Sequence, residues 1–185
     1  AAEVADYVLR DLAAPEGGFY AAEDADSEGE EGRFYLWTLD EVRAVLDPAE
    51  AELAAREFRL EAAGNFAEPG RDRDGRNVLY RGRPGGGGQA APGGWPGGED
   101  EGRLDAVREK LLRARAARPR PFLDTKILAD WNGLMIAALA SVHRITGEAR
   151  YLQAAERAAD LVLSTMVGPD GRLRHVSFGG EARLP

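Results

Sequence analysis

Six carboxylates crowd the nine residues Glu23-Asp24-Ala25-Asp26-Ser27-Glu28-Gly29-Glu30-Glu31, with no cation among them. Self-repulsion makes such a run costly unless water or a bound cation screens it. The spacing is not that of a calcium-binding helix–loop–helix, because the required glycine and closing glutamate are missing at their offsets. Two readings follow. One is a solvated acidic loop. The other singles out Glu23, Asp24 and Asp26, just after Gly18-Phe19-Tyr20, as carboxylates that could serve as general acid and base opposite a sugar ring.

A second constellation is Pro121-Phe122-Leu123-Asp124-Thr125-Lys126-Ile127-Leu128-Ala129-Asp130-Trp131-Asn132-Gly133. Asp124 is placed as a helix N-cap and Lys126 in the first turn, where a cation opposes the helix dipole and calls for a carboxylate partner or a ligand. Asp124 and Lys126 therefore join the catalytic candidates. Trp131 and Asn132, with Tyr20 and Trp37, are the ligand-binding candidates: aromatic rings to stack on a sugar and an amide to hydrogen-bond its hydroxyls. The alternative is a cap, a core tryptophan and a structural ion pair.

Other chemistry is poorly represented. His143 and His175 have no second ligand at a metal-binding spacing, so no metal is assigned. Gly85 to Gly88 lacks the lysine and the helix of a phosphate loop, so no cofactor is assigned either. Arg113, Arg115, Arg118 and Arg120 read as a solvated basic helix end.

Helices must position these groups. The clearest is expected over 127–145, with Leu128, Trp131, Met135, Ala138, Leu139 and Val142 on one face. Gly147 ends it in the left-handed conformation. A second is expected over 149–167, with Tyr151, Leu152, Ala155, Ala159, Val162, Leu163 and Met166 apolar, and the short connection makes the two an antiparallel hairpin. A faint repeat relates Asp6-Tyr7-Val8-Leu9 through Pro15-Glu16-Gly17-Gly18-Phe19 to Asp160-Leu161-Val162-Leu163 through Pro169-Asp170-Gly171-Arg172-Leu173. Such hairpin units stack into solenoids or close into α/α toroids.

Between them, Gly32 to Thr38 suits a short strand. Thr38 and Glu41 form a capping box before a helix to about Leu46, and Pro48 opens another to about Phe58. Val78-Leu79-Tyr80 lies between turn sequences. Residues 82–102, with 10 glycines and 3 prolines, read as a flexible insertion. A charged helix follows over 105–117, and a polar loop or hairpin from Arg174 is expected to have nothing to pair against. The domain scheme is thus 1–81, the insertion 82–102, and 103–185 continuing the same domain.

Composition narrows the classes. The 185 residues carry 24 basic and 32 acidic side chains, a net charge of −8, which argues against phosphate-backbone binding, so no nucleic-acid partner is expected. No apolar run reaches the roughly 20 residues of a membrane span, so no membrane partner is expected. There is no cysteine and hence no disulfide or thiolate chemistry within the chain. Thirty-two residues are alanine, the strongest helix former, and the expected class is mainly α. The start at Ala1-Ala2-Glu3-Val4 shows no secretory signal and reads as the interior of a longer, cytoplasmic protein.

Taken in order, Gly17-Gly18-Phe19-Tyr20-Ala21-Ala22-Glu23-Asp24-Ala25-Asp26-Ser27-Glu28-Gly29, Phe34-Tyr35-Leu36-Trp37, Gly64-Asn65-Phe66, Asp124-Thr125-Lys126 and Trp131-Asn132-Gly133-Leu134-Met135-Ile136 resemble the thioredoxin domain-containing family of the YyaL and spermatogenesis-associated protein 20 type. The resemblance covers nearly the whole chain apart from the glycine-rich stretch. It implies a fragment of an α/α toroid, similar to six-hairpin glycosidases, with short β segments in its loops. It also implies an upstream thioredoxin-like domain as a partner in the full-length protein. Thr125 departs from the aspartate that many relatives carry, against any model requiring a carboxylate there. Two functions are carried forward: a carbohydrate-acting toroid, glycosidase- or epimerase-like, whose partner is a carbohydrate or other polar small molecule, and a non-catalytic scaffold supporting the redox domain.

Overall fold

The structure, a computed structural model, describes residues 2–67, 72–81 and 99–183. In chain order the elements are α1 (Ala2–Tyr7), running into a π-helical turn (Val8–Leu12); β1 (Ala22–Glu23), β2 (Asp26–Ser27) and β3 (Glu30–Glu31); then α2 (Leu39–Val45), α3 (Pro48–Glu57) and α4 (Glu99–Ala116). There follow β4 (Leu123–Asp124), β5 (Ile127–Leu128), α5 (Ala129–Thr146) and α6 (Ala149–Leu161), the last running into a second π-helical turn (Val162–Met166). β6 (Val176–Phe178) and β7 (Glu181–Arg183) complete the set. About half of the structure is helical and the strands are short and antiparallel, so the mainly-α class holds. Most of the glycine-rich stretch, 82–98, lies outside the described residues, whereas its last residues already belong to α4.

The chain divides into two compact units, Ala1–Asp24 with Phe122–Pro185, and Ala25–Pro121. In the first, α5 and α6 form the expected antiparallel hairpin. Gly147 closes α5 at φ 75°, in the left-handed region, and donates its N–H to the His143 carbonyl. α1 and the hairpin share a core of Ala5, Val8, Phe19, Leu139, Tyr151, Ala154, Ala155 and Ala158. Alanines dominate the α6 side of that core, which lets the helix backbones approach closely. Tyr151 is fully buried, and its hydroxyl donates to Asp6 Oδ1 at 2.8 Å, so its polar tip is satisfied. β1 pairs with β4, and β5, β6 and β7 make a three-stranded sheet.

Several expectations for this unit change. The segment from Arg174 does find partners, because β6 pairs with both β5 and β7. Helix α5 starts two residues later than expected, since Ile127 and Leu128 are drawn into that sheet. Its inward face is also turned by about one residue. Asn132, not Trp131, is buried, and Trp131 and Leu134 remain 52% and 73% exposed. α5 is apolar on nearly every side, so periodicity alone does not fix which stripe faces the core. Leu163, expected inside, is likewise exposed because the π-helical turn shifts the phase of the last residues.

The second unit has its own core of Trp37, Val42, Leu46, Leu53, Phe58, Leu104, Val107 and Leu111, joining α2, α3 and α4. Both α2 and α3 begin with complete capping boxes, Thr38 with Glu41 and Asp47 with Glu50, and Pro48 occupies the start of α3. Gly32 to Thr38 is not a strand. Tyr35 and Leu36 both donate their N–H to the Gly32 carbonyl, which curls the segment into a turn and leaves only Trp37 bridged to Asn77. The aromatics that suggested a strand are used in packing. Arg118 stacks over Trp37 at 4.1 Å and donates to the carbonyls of Phe34 and Leu36, and Arg115 lies over Phe34 and Tyr35. The arginine cluster therefore organises this turn as well as ending a helix. Gly64, at φ 83°, sits so close to Arg76 that a Cβ would lie 2.5 Å from its carbonyl oxygen, which only glycine permits.

Candidate functional site

The β1–β4 ladder brings the acidic residues of the first unit together with Asp124. Its register opposes Ala22 to Asp124 and Glu23 to Leu123, and the Asp24 N–H continues it by donating to the Phe122 carbonyl at 2.8 Å. Side chains alternate across a strand, so Glu23 and Asp124 leave opposite faces of the ladder. Asp24 and Asp124 leave the same face as diagonal neighbours, a relation that separates Cα atoms by about 7–8 Å. Glu23 is otherwise engaged, accepting a hydrogen bond from the Tyr7 hydroxyl at 3.0 Å.

Asp124 is not a helix cap. Leu128 occupies the N-cap of α5 and offers no side-chain bond. Instead Asp124 accepts from the Lys126 N–H at 3.2 Å and pairs with its Nζ at 3.0 Å. Lys126 thus has the carboxylate partner that its sequence position called for, but in the loop before the helix. These bonds hold the Asp124 carboxyl below the ordinary aspartate range, the side-chain bond to Lys126 contributing most. A carboxyl so held is ionised at neutral pH, so it does not donate a proton, and the same pairing weakens it as a base. Removing the amine should release it: Lys126→Met is expected to move the Asp124 titration upward, towards the ordinary value, when its carboxyl carbon is followed by NMR. An unmoved titration would show that the pair does not form in solution.

Asn132 is inward and fully occupied. Its Oδ1 accepts from the Phe19 N–H at 2.8 Å, and its Nδ2 donates to the carbonyls of Phe19 at 3.0 Å and Leu128 at 2.9 Å. It is a clamp on the chain's own backbone, with its donors and acceptor facing protein groups. Trp131, half exposed beside it, faces outward.

Asp26 and Trp37 belong to the second unit. Asp26 lies in β2, opposite Glu31. Trp37 is buried at 3% exposure, its ring under Arg118. The later carboxylates of the acidic loop are answered by cations that sequence reading did not connect to them. Arg33 pairs with Glu28 at 2.8 Å and Glu30 at 3.2 Å, and Arg76 reaches Glu30 at 3.5 Å. Among the described residues, no three His, Asp or Glu side chains come together as a metal site would require.

Tyr20 is the ligand candidate that lines a hollow. This cavity, about 350 Å³, lies within the first unit and is edged by Glu16, Tyr20, Thr125, Thr165 and Ser177, with Ile127 and Leu161 as its apolar wall and Gly179 and Gly180 at its lip. Partial burial, and the nearby Glu16 charge, push the Tyr20 hydroxyl above its ordinary range. It therefore stays protonated and able both to donate and to accept. The hydroxyls of Tyr20, Thr125 and Ser177 and the Glu16 carboxylate around a small apolar wall can hydrogen-bond a molecule rich in hydroxyls and carry one apolar face of it. Thr165, whose hydroxyl donates to the Leu161 carbonyl at 2.6 Å, is left as an acceptor. Glu16, Thr165 and Ser177 had no motif to mark them. They come from three separate segments, and only the Pro-acid-Gly turn around Glu16 was visible in the sequence, as part of the repeat.

No protein-family model matches the chain. Similarity to individual proteins is extensive. The chain is 34% identical over 199 residues to spermatogenesis-associated protein 20 of Homo sapiens, which covers 96% of this chain and 25% of that protein. The Rattus norvegicus protein of the same name is 34% identical over 200 residues, with the same coverage. An uncharacterized protein of Caenorhabditis elegans is 30% identical over 189 residues, covering 93% of this chain and 26% of the relative. The chain spans about a quarter of the length of the curated relatives it matches. No helix among the described residues is long and apolar enough to cross a membrane.

Proposed function

We propose, on the premise that this chain is homologous to a stretch of spermatogenesis-associated protein 20, that it forms part of an α/α toroid whose rim binds a small polyhydroxylated molecule. The observation that carries this reading is the hollow at Tyr20, walled by hydroxyls and bordered by a carboxylate. A sugar or sugar-like polyol presents the complementary pattern of paired donors and acceptors above an apolar ring face. The protein is read as cytoplasmic. If the bound molecule is also turned over, by glycosidase- or epimerase-like chemistry, Asp24 and Asp124 are the carboxylates whose shared face suits the work.

Calorimetric titration of the protein with a panel of mono- and disaccharides tests the reading. Binding is expected for at least one sugar, weakened by about tenfold in Tyr20→Phe through loss of one buried hydrogen bond. A silent panel, or binding that is indifferent to Tyr20→Phe and Glu16→Gln together, would remove the hollow from consideration. That result would favour the second reading, a scaffold for a thioredoxin-like domain, which draws on the apolar side chains that α5 leaves in water: Trp131, Leu134 and Ile145.

A further inference from the structure

The two ends of the first unit are copies of one motif, and only one copy is covered. In the first, the π-helical turn Val8–Leu12 leads to Ala13, bridged to Phe19. In the second, the π-helical turn Val162–Met166 leads to Val167, bridged to Leu173. The loop hydrogen bonds match one for one. Ala14 donates to Gly18 at 2.8 Å as Gly168 does to Arg172 at 2.8 Å. Gly17 donates to Ala14 at 3.0 Å as Gly171 does to Gly168 at 2.9 Å, and Tyr20 to Leu12 at 2.9 Å as Arg174 does to Met166 at 2.7 Å. Every pair of partners is displaced by the same interval along the chain, and Gly17 and Gly171 both take positive φ. β1 and β6 then follow at the same interval.

The first copy shows what such a loop receives. The α5–α6 hairpin is seated on it: a Cβ at Gly17 would lie 2.9 Å from the Arg157 carbonyl oxygen, and one at Gly18 would lie 2.7 Å from the Leu161 side chain. Phe19 is 5% exposed and both of its backbone polar groups are held by Asn132. The second copy is bare. Leu163 is 68%, Leu173 50% and Phe178 53% exposed, and no atom lies within 4 Å of a Cβ built on Gly171. Among the described residues, nothing bonds the Leu173 N–H or C=O, the groups that correspond to those clamped at Phe19.

We propose that the surface of Leu163, Val167, Leu173 and Phe178 is the seat of a further antiparallel helical hairpin, which clamps the Leu173 backbone with a side-chain amide as Asn132 clamps Phe19. The occupant follows from the chemistry. A neighbouring N–H and C=O are satisfied together by a group that both accepts and donates in one plane, which is an asparagine or glutamine amide. Four apolar side chains with a glycine at closest approach match a helix pair, as the first copy demonstrates. The relatives, four times as long, have the length to supply one in the same polypeptide. This inference does not depend on the sugar reading.

The test compares the 185-residue chain with a full-length polypeptide that contains it. Hydrogen–deuterium exchange of the Leu173 amide should be at least about tenfold slower in the longer polypeptide. Leu173→Asp should leave the urea midpoint of the short chain unchanged and lower that of the long one, with Phe178→Ser behaving alike. Equal exchange in both would overturn the proposal. So would concentration-dependent dimerisation of the short chain that Leu173→Asp abolishes, because the surface would then belong to a second copy.

Discussion

Replacement of Asn77 by leucine is expected to lower the stability of the second unit by about 4 kcal/mol, read as a fall in the urea midpoint at constant slope. Asn77 is fully buried and uses its whole hydrogen-bonding capacity. Its Oδ1 accepts from the N–H groups of Glu61 at 2.9 Å and Asn65 at 3.1 Å. Its Nδ2 donates to the carbonyls of Gly75 at 2.9 Å and of Trp37 and Glu61, each at 3.2 Å. One amide thus ties the Trp37 turn to two loops that have few backbone bonds of their own. Leucine is nearly the same size but leaves the half-buried N–H groups of Glu61 and Asn65 and the Gly75 carbonyl without these partners, each costing about 1–3 kcal/mol. The Trp37 and Glu61 carbonyls keep backbone donors from Asn77 and Gly64. An effect under about 1 kcal/mol would mean that water reaches these groups and that the site is not closed.

Asn132→Leu should have the next largest effect, a loss of about 3 kcal/mol, because the N–H and C=O of buried Phe19 lose their partners together. Asn132→Asp should be no better. It keeps an acceptor for the Phe19 N–H but turns a second acceptor towards two carbonyls. The direction separates the roles. A residue held for ligand binding can be replaced with little loss of stability, or even a gain, whereas the clamp must destabilise and must speed exchange at Phe19. A variant of unchanged stability that had lost only sugar binding would return Asn132 to the ligand candidates.

The sequence made the α5–α6 hairpin legible because its length, its apolar content and Gly147 all agree. The capping boxes of α2 and α3 were legible in part for the same local reason: Thr38 and Glu41 are three residues apart, and their bond needs no distant partner. The repeat was visible only as two short stretches, yet backbone bonds reproduce it group by group. What remained hidden depends on distance along the chain. Asp124 reads as a cap because nothing local reveals that Ala22, about a hundred residues earlier, pairs with it. The three-and-four spacing of apolar residues puts Trp131 on the inward face, while burial at that position is decided by the bonds that Phe19 offers to Asn132. Trp37 was a ligand candidate as an aromatic, but Arg118, distant in sequence, claims its ring face. The hollow at Tyr20 could not be assembled from local patterns, since its walls come from opposite ends of the chain.

One helix-end motif occurs twice in the chain, clamped at Phe19 and open at Leu173. Amide hydrogen exchange of the 185-residue chain, resolved at those two residues, tests it most directly. The Phe19 amide should exchange about a hundredfold more slowly than that of Leu173, and Asn132→Leu should erase most of the difference. Equal protection at both sites in the unmodified chain would contradict it.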